Sequence, residues 1–97
     1  MNPLEAYEYA VIYGPSKETR KIACKDPWLV YMYAKIIDKK PRKDTRKAAC
    51  KNPEIAYWYA EDVDECFHKD TWEAVKNTEW EEIYKKFANS TMKEEII

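Results

Sequence analysis

The sequence predicts an all-α fold, a small α-solenoid of about three stacked helical hairpins with roughly seven helices. Three observations carry this. The pattern Asn/Asp-Pro-x-x-small-Tyr-x-Tyr-Ala occurs at Asn2 to Ala10, Asp26 to Ala34 and Asn52 to Ala60, its copies starting 24 and then 26 residues apart. A charged segment also recurs: Lys17 to Lys25 matches Lys43 to Lys51 almost residue for residue, and Asp70 to Asn77 is a degenerate third copy. Finally, one glycine and five prolines in 97 residues are too few turn formers for an all-β chain.

Each element follows from local chemistry. Asn2, Asp26 and Asn52 each precede a proline, an N-cap followed by N1: the Asx oxygen accepts from a first-turn amide, and proline lacks a donor that would go unpaired there. The first helix spans 3 to 13 and stops at Gly14-Pro15. Ser16 caps a second over 17 to 25. The third runs from Pro27 to about Lys39, where Pro41 blocks it. The fourth covers about 42 to 51, the fifth Pro53 to about Glu65, the sixth about 69 to 76 and the seventh about 78 to 88. The repeat units are 2–25, 26–51 and 52–76, with a decayed cap at 77–88. The tail from Asn89 to Ile97 shows no clear face and is expected to fray.

Apolar residues recur at steps of one, three and four, which puts them on one helical face. They are Leu29, Val30, Tyr33, Ala34 and Ile37 in the second copy, and Ile55, Ala56, Tyr59, Ala60 and Val63 in the third. Tyr9, Tyr33 and Tyr59 are therefore expected to face the core. Tyr7, Tyr31 and Tyr57 fall about 100° further round, on a flank the next repeat can cover. Trp72 and Trp80 read as core of the last repeat.

Ninety-seven residues make one domain, and a repeat array buries its core between neighbouring units. Four Trp and eight Tyr argue against disorder. No apolar run approaches the length of a membrane span, and no signal peptide precedes the first helix signal, so a cytoplasmic chain starting at Met1 is expected. Cys24 and Cys50 occupy the same repeat position, which suits separate small core residues in a reducing compartment better than a disulfide.

The repeated Asn/Asp-Pro-x-x-small-Tyr-x-Tyr-Ala unit with its charged partner helix resembles short tandem α-helical repeats of uncharacterised large-tailed-bacteriophage proteins. The resemblance covers residues 2 to about 88 and implies helical pairs. It transfers no catalytic residue. It also implies a protein acting on a host component as a small inhibitor or adaptor, as in counter-defence or host takeover.

Charge is divided along the chain. From Gly14 to Lys51, 12 Lys/Arg stand against 4 Asp/Glu, a net of +8. From Asn52 to Glu82, 2 Lys stand against 10 Asp/Glu, a net of −8. Lys17, Lys21 and Lys25 are spaced by four, as are Lys43, Lys47 and Lys51, and Arg20 and Arg46 flank these ladders. The ladders can be a duplicated solvated face. Alternatively Lys17, Arg20, Lys21, Lys43, Arg46 and Lys47 track a nucleic-acid backbone. The opposed halves also invite head-to-tail self-association.

Trp28 and Met32 lie opposite the core face, and Trp58 takes Met32's place in the third copy. Neighbouring repeats can bury them. If left open, Trp28, Met32 and Trp58, with Tyr31 and Tyr57 beside them, form a protein-binding surface. Cys66-Phe67-His68 lacks the second ligand pair of a zinc site, so no metal or other cofactor is expected. The single glycine rules out the usual phosphate loops, and the paired carboxylates lack apolar surroundings that would raise a pKa. The sequence therefore points to a non-enzymatic protein that binds a macromolecule, most readily another protein.

Overall fold

A computed structural model describes the backbone of residues 1–96 and the side chains of residues 1–91. All regular structure among them is helical. The elements are α1 (Pro3–Tyr13), α2 (Lys17–Ala23), α3 (Pro27–Met32), α4 (Lys43–Ala49), α5 (Pro53–Tyr59), α6 (Lys69–Val75) and α7 (Glu81–Ile96). The long helices pack on the short ones that follow them, α1 on α2, α3 on α4 and α5 on α6, while α1, α3 and α5 stack in order. The result is a slab of 42 × 29 × 15 Å, its core split into three clusters.

The expected caps form. Asn2, Asp26 and Asn52 accept from the amides of Glu5, Leu29 and Ile55, and Ser16 accepts from Thr19. Asn2 and Glu5 complete a reciprocal capping box. Gly14 closes α1 at φ +90°, a backbone region that suits glycine.

The helices α3 and α5 are not α-helical throughout. Each continues as a π-turn, over Tyr33–Asp38 and Ala60–Asp64. The amide of Lys39 accordingly reaches back five residues to the Ala34 carbonyl, whereas Gly14 reaches back four to Ala10. Copies two and three carry one more helical residue than the first, and the wider turn absorbs it. Both end on a residue in the left-handed region, Lys39 (φ 55°) and Glu65 (φ 58°), in the place of Gly14.

A hydroxyl latch repeats three times. The buried Tyr33 hydroxyl accepts from the amide of Ser16 at 3.0 Å and lies 2.7 Å from the Thr19 hydroxyl. Tyr59 makes the same pair with Arg42 (3.1 Å) and Thr45 (2.7 Å). Tyr84 makes it with His68 (3.1 Å) and Thr71 (2.7 Å). Each tyrosine thus satisfies the exposed start of the short helix that precedes it. Packing runs forward from long helix to short, and the latch runs backward, so the array has no seam between units.

Beside the first two latches lies a buried ion pair. Arg20 meets Asp38 at 2.7 Å and Arg46 meets Asp64 at 2.6 Å, each guanidinium gripping its carboxylate with two nitrogens. The π-turns carry these aspartates. The arginines also stand over the latch tyrosines, 5.7 Å above Tyr33 and 5.8 Å above Tyr59.

Two expectations about core residues change. All five named residues of the third copy are buried, but Leu29 and Ile37 of the second are half-exposed. Tyr9 does not face the core; it is 46% exposed. The reason is positional, because among the described residues no short helix precedes α1 to supply a latch. Of the expected frayed stretch, Asn89, Ser90 and Thr91 continue α7, and the side chains beyond them lie outside the described residues.

Candidate functional site

The aromatic surface forms where α3 and α5 stack side by side. Trp28 and Trp58, on adjacent repeats, meet edge-on at 6.2 Å and remain 47% and 37% exposed. Tyr31 lies beneath them, with ring contacts at 5.5 Å to Trp28 and 6.2 Å to Trp58. It is fully buried, so it supports the tryptophans from below and cannot touch a partner itself. Its hydroxyl donates to Asp62, and Lys35 stands 5.8 Å over its ring and 3.6 Å from Asp62. Burial and then the Asp62 bond raise the Tyr31 phenol above its ordinary pKa. Met32 is half-buried and leans on the central core cluster. Tyr57 stacks on Trp80 at 5.8 Å and meets Phe87 edge-on at 6.2 Å. Burial and its bond to Glu61 push the Tyr57 hydroxyl up to about 12.

The patch runs into a groove of about 270 Å³ lined by Tyr57, Trp58, Trp80 and Ile83 on its apolar side and by Glu61 and Asp62 on the other. The sequence alone did not join Glu61, Asp62, Trp80 and Ile83 to the patch. Trp80 was expected only as core, and it both packs on Tyr57 and lines this groove. The acidic run Glu61-Asp62 was the available signal, but which side of the helix it occupied depended on the π-turn.

The basic candidates divide. Lys17, Lys21, Lys47 and Lys51 converge on one groove of about 420 Å³, with Cys24, Asp44 and Ala48 in its wall. Lys43 lies apart, in a neighbouring depression with Arg42, Asp44 and Lys47. Arg20 and Arg46, expected to contact phosphates, are withdrawn from that role. Their guanidiniums are held by Asp38 and Asp64, and those bonds raise the arginine pKa values further. The sequence could not distinguish a solvated arginine from a committed one, although Asp38 and Asp64 recur in the same register.

Cys24 and Cys50 are separate and half-buried; burial raises the Cys24 thiol and pushes Cys50 up to about 11. Thiols so placed are poor nucleophiles at neutral pH. His68, the chain's single histidine, is the N-cap of α6, its Nδ1 accepting from the Asp70 amide at 3.0 Å. Among the described residues no cluster of His, Cys, Asp or Glu could hold a metal ion, and no helix is long and apolar enough to cross a membrane. No protein-family model, curated protein or solved structure matches this chain.

Proposed function

We propose that this chain is a non-enzymatic helical-repeat protein that binds a protein partner, a small inhibitor or adaptor of the kind the phage-repeat resemblance implies, acting on a host protein in the cytoplasm. The supporting observation is the pair Trp28 and Trp58, exposed and in mutual contact at the head of an acidic-walled aromatic groove. Tryptophans held on a rigid platform lose little freedom on binding, which suits them as anchors. Glu61 and Asp62 favour a partner segment with basic residues beside its apolar ones.

The test is affinity capture from bacterial lysate with the tagged chain, with and without nuclease, read by mass spectrometry. One host protein retained after nuclease, and lost by more than tenfold with Trp28→Ala or Trp58→Ala, is the expected result. Capture unchanged by both substitutions sinks the reading.

A second reading, nucleic-acid binding, draws support from the four lysines converging on one groove. It requires affinity that falls steeply with salt. Self-assembly through the +8 and −8 halves is the third reading, and sedimentation that stays monomeric at low ionic strength counts against it.

A further inference from the structure

The helix α1 repeats the sequence pattern of α3 and α5 but lacks what covers them. In the π-turn that continues α3, Tyr33 and Asp38 are covered by α2; at the end of α5 and in its π-turn, Tyr59 and Asp64 are covered by α4. Counted from the N-cap, Tyr9 takes the place of Tyr33 and Tyr59 and Gly14 that of the aspartates; counted back from the helix end, Tyr13 is the last helical residue, as Asp38 and Asp64 are. With Ile12 between them they are 46%, 70% and 73% exposed for Tyr9, Tyr13 and Ile12 respectively. Tyr9 and Tyr13 rest on each other at 4.5 Å, and the Tyr9 hydroxyl bonds no residue among those described. A face this apolar at the open end of a repeat array departs from the polar outer face that terminal repeats usually need.

The molecule itself shows, three times, what fits such a face. The occupant is a short capped helix whose first amide bonds the tyrosine hydroxyl and whose threonine, three residues after the cap, meets it at 2.7 Å. A second copy of this chain cannot supply one from its described residues. Thr19, Thr45 and Thr71 are each already held by their own tyrosine. The residue after the threonine is also constrained. It is arginine where an aspartate waits, and Trp72 where none does. At its last helical position α1 offers Tyr13.

We propose that the Tyr9, Ile12 and Tyr13 face of α1 is an open docking seat for a capped helical turn that comes neither from the described residues nor from a second copy of them, with threonine or serine three residues after its cap and an apolar or aromatic residue next. The seat is separate from Trp28 and Trp58, so it stands or falls independently of that surface. An occupant would extend the solenoid by half a unit and leave the aromatic groove free.

The test supplies the missing turn by fusion. Residues 40–52, with Arg46→Leu in the added copy, are joined in front of Pro3 of the full chain, so that the added Asn52 replaces Asn2. The spacing from the added Thr45 to Tyr9 is then the same 14 residues that separates Thr45 from Tyr59. The expected result is a melting temperature raised by about 5 °C or more, with the Tyr9 ring protected from iodination. Both gains should shrink with Thr45→Val in the added copy, and the gain in melting temperature should shrink with Tyr9→Phe. In trans, a peptide of the same sequence binds the unmodified chain weakly, since a short helix is marginal alone, and it shifts the Tyr9 and Tyr13 ring resonances. An unchanged melting temperature with Tyr9 still reactive overturns the proposal. So does a fusion that misfolds together with a peptide that leaves those resonances unmoved. Concentration-dependent dimerisation of the unmodified chain that Tyr9→Ala abolishes also overturns it, because the face would then be filled by a second copy.

Discussion

The two inner latches and the last one solve the same problem differently. In each, a tyrosine ring lies under the residue that follows the latch threonine. In the inner copies that residue is Arg20 or Arg46, paired with a buried aspartate from a π-turn. In the last it is Trp72, 5.9 Å from Tyr84, and α7 carries no π-turn. All three rings are covered. The difference is whether a buried charge has to be matched. The inner copies depend on two partners staying together, while the last depends on apolar area alone.

The largest expected effect comes from breaking one inner pair. Arg46→Ala strands Asp64, and the loss should be about 3–5 kcal/mol. Replacing both partners, Arg46→Met with Asp64→Leu, should return stability to near the parent or above, because no charge is then left buried. Trp72→Ala, at a half-buried site, should cost about 2–3 kcal/mol, with no second substitution able to restore it. Urea unfolding reads all of these. An Arg46→Ala loss no larger than that of the exposed Lys47→Ala would erase the distinction.

A smaller effect concerns pH. The Cys50 thiol has its folded pKa raised from 9.0 to about 11 by burial. The folded state therefore holds a proton that the unfolded state releases. Its contribution is fully present below about pH 9 and declines as pH rises toward 11. Cys50→Ala should flatten the stability profile in that window and leave it unchanged at neutral pH, as followed by thermal melts from pH 7 to 11.

The smallest expected effect is at the helix ends. Lys39 and Glu65 hold left-handed backbone where the first copy has glycine. Lys39→Gly and Glu65→Gly should each stabilise by about 0.5 kcal/mol, the relief of backbone strain exceeding glycine's entropy cost. Gly14→Ala should destabilise by about 1–3 kcal/mol through backbone strain, since open space surrounds the added methyl.

Much of the fold was legible because it is local. An Asx-Pro start, a serine cap and a Gly-Pro stop act within one turn, and each formed as expected. The latch is not local; it joins residues 13 or 14 apart across two helices. Yet Thr19, Thr45 and Thr71 recur alongside Tyr33, Tyr59 and Tyr84, and that paired recurrence was the readable sign. Trp28 and Trp58 were found from helical spacing. Tyr31 was placed on a flank, but the angle alone could not show that α5 would seal it. Tyr9 failed for the opposite reason: an identical pattern meets no preceding short helix among the described residues.

Tyr33, Tyr59 and Tyr84 are latched by hydroxyl bonds, and Tyr9 is not. The most direct measurement is urea unfolding of Tyr9→Phe, Tyr33→Phe, Tyr59→Phe and Tyr84→Phe, each removing one oxygen from an otherwise unchanged ring. The latter three should each lose about 1–3 kcal/mol, because they leave the cap amide and threonine without that partner. Tyr9→Phe should change stability by less than about 0.5 kcal/mol, as at an open surface site. Four equal losses, or a Tyr59→Phe variant as stable as the parent, would contradict the account.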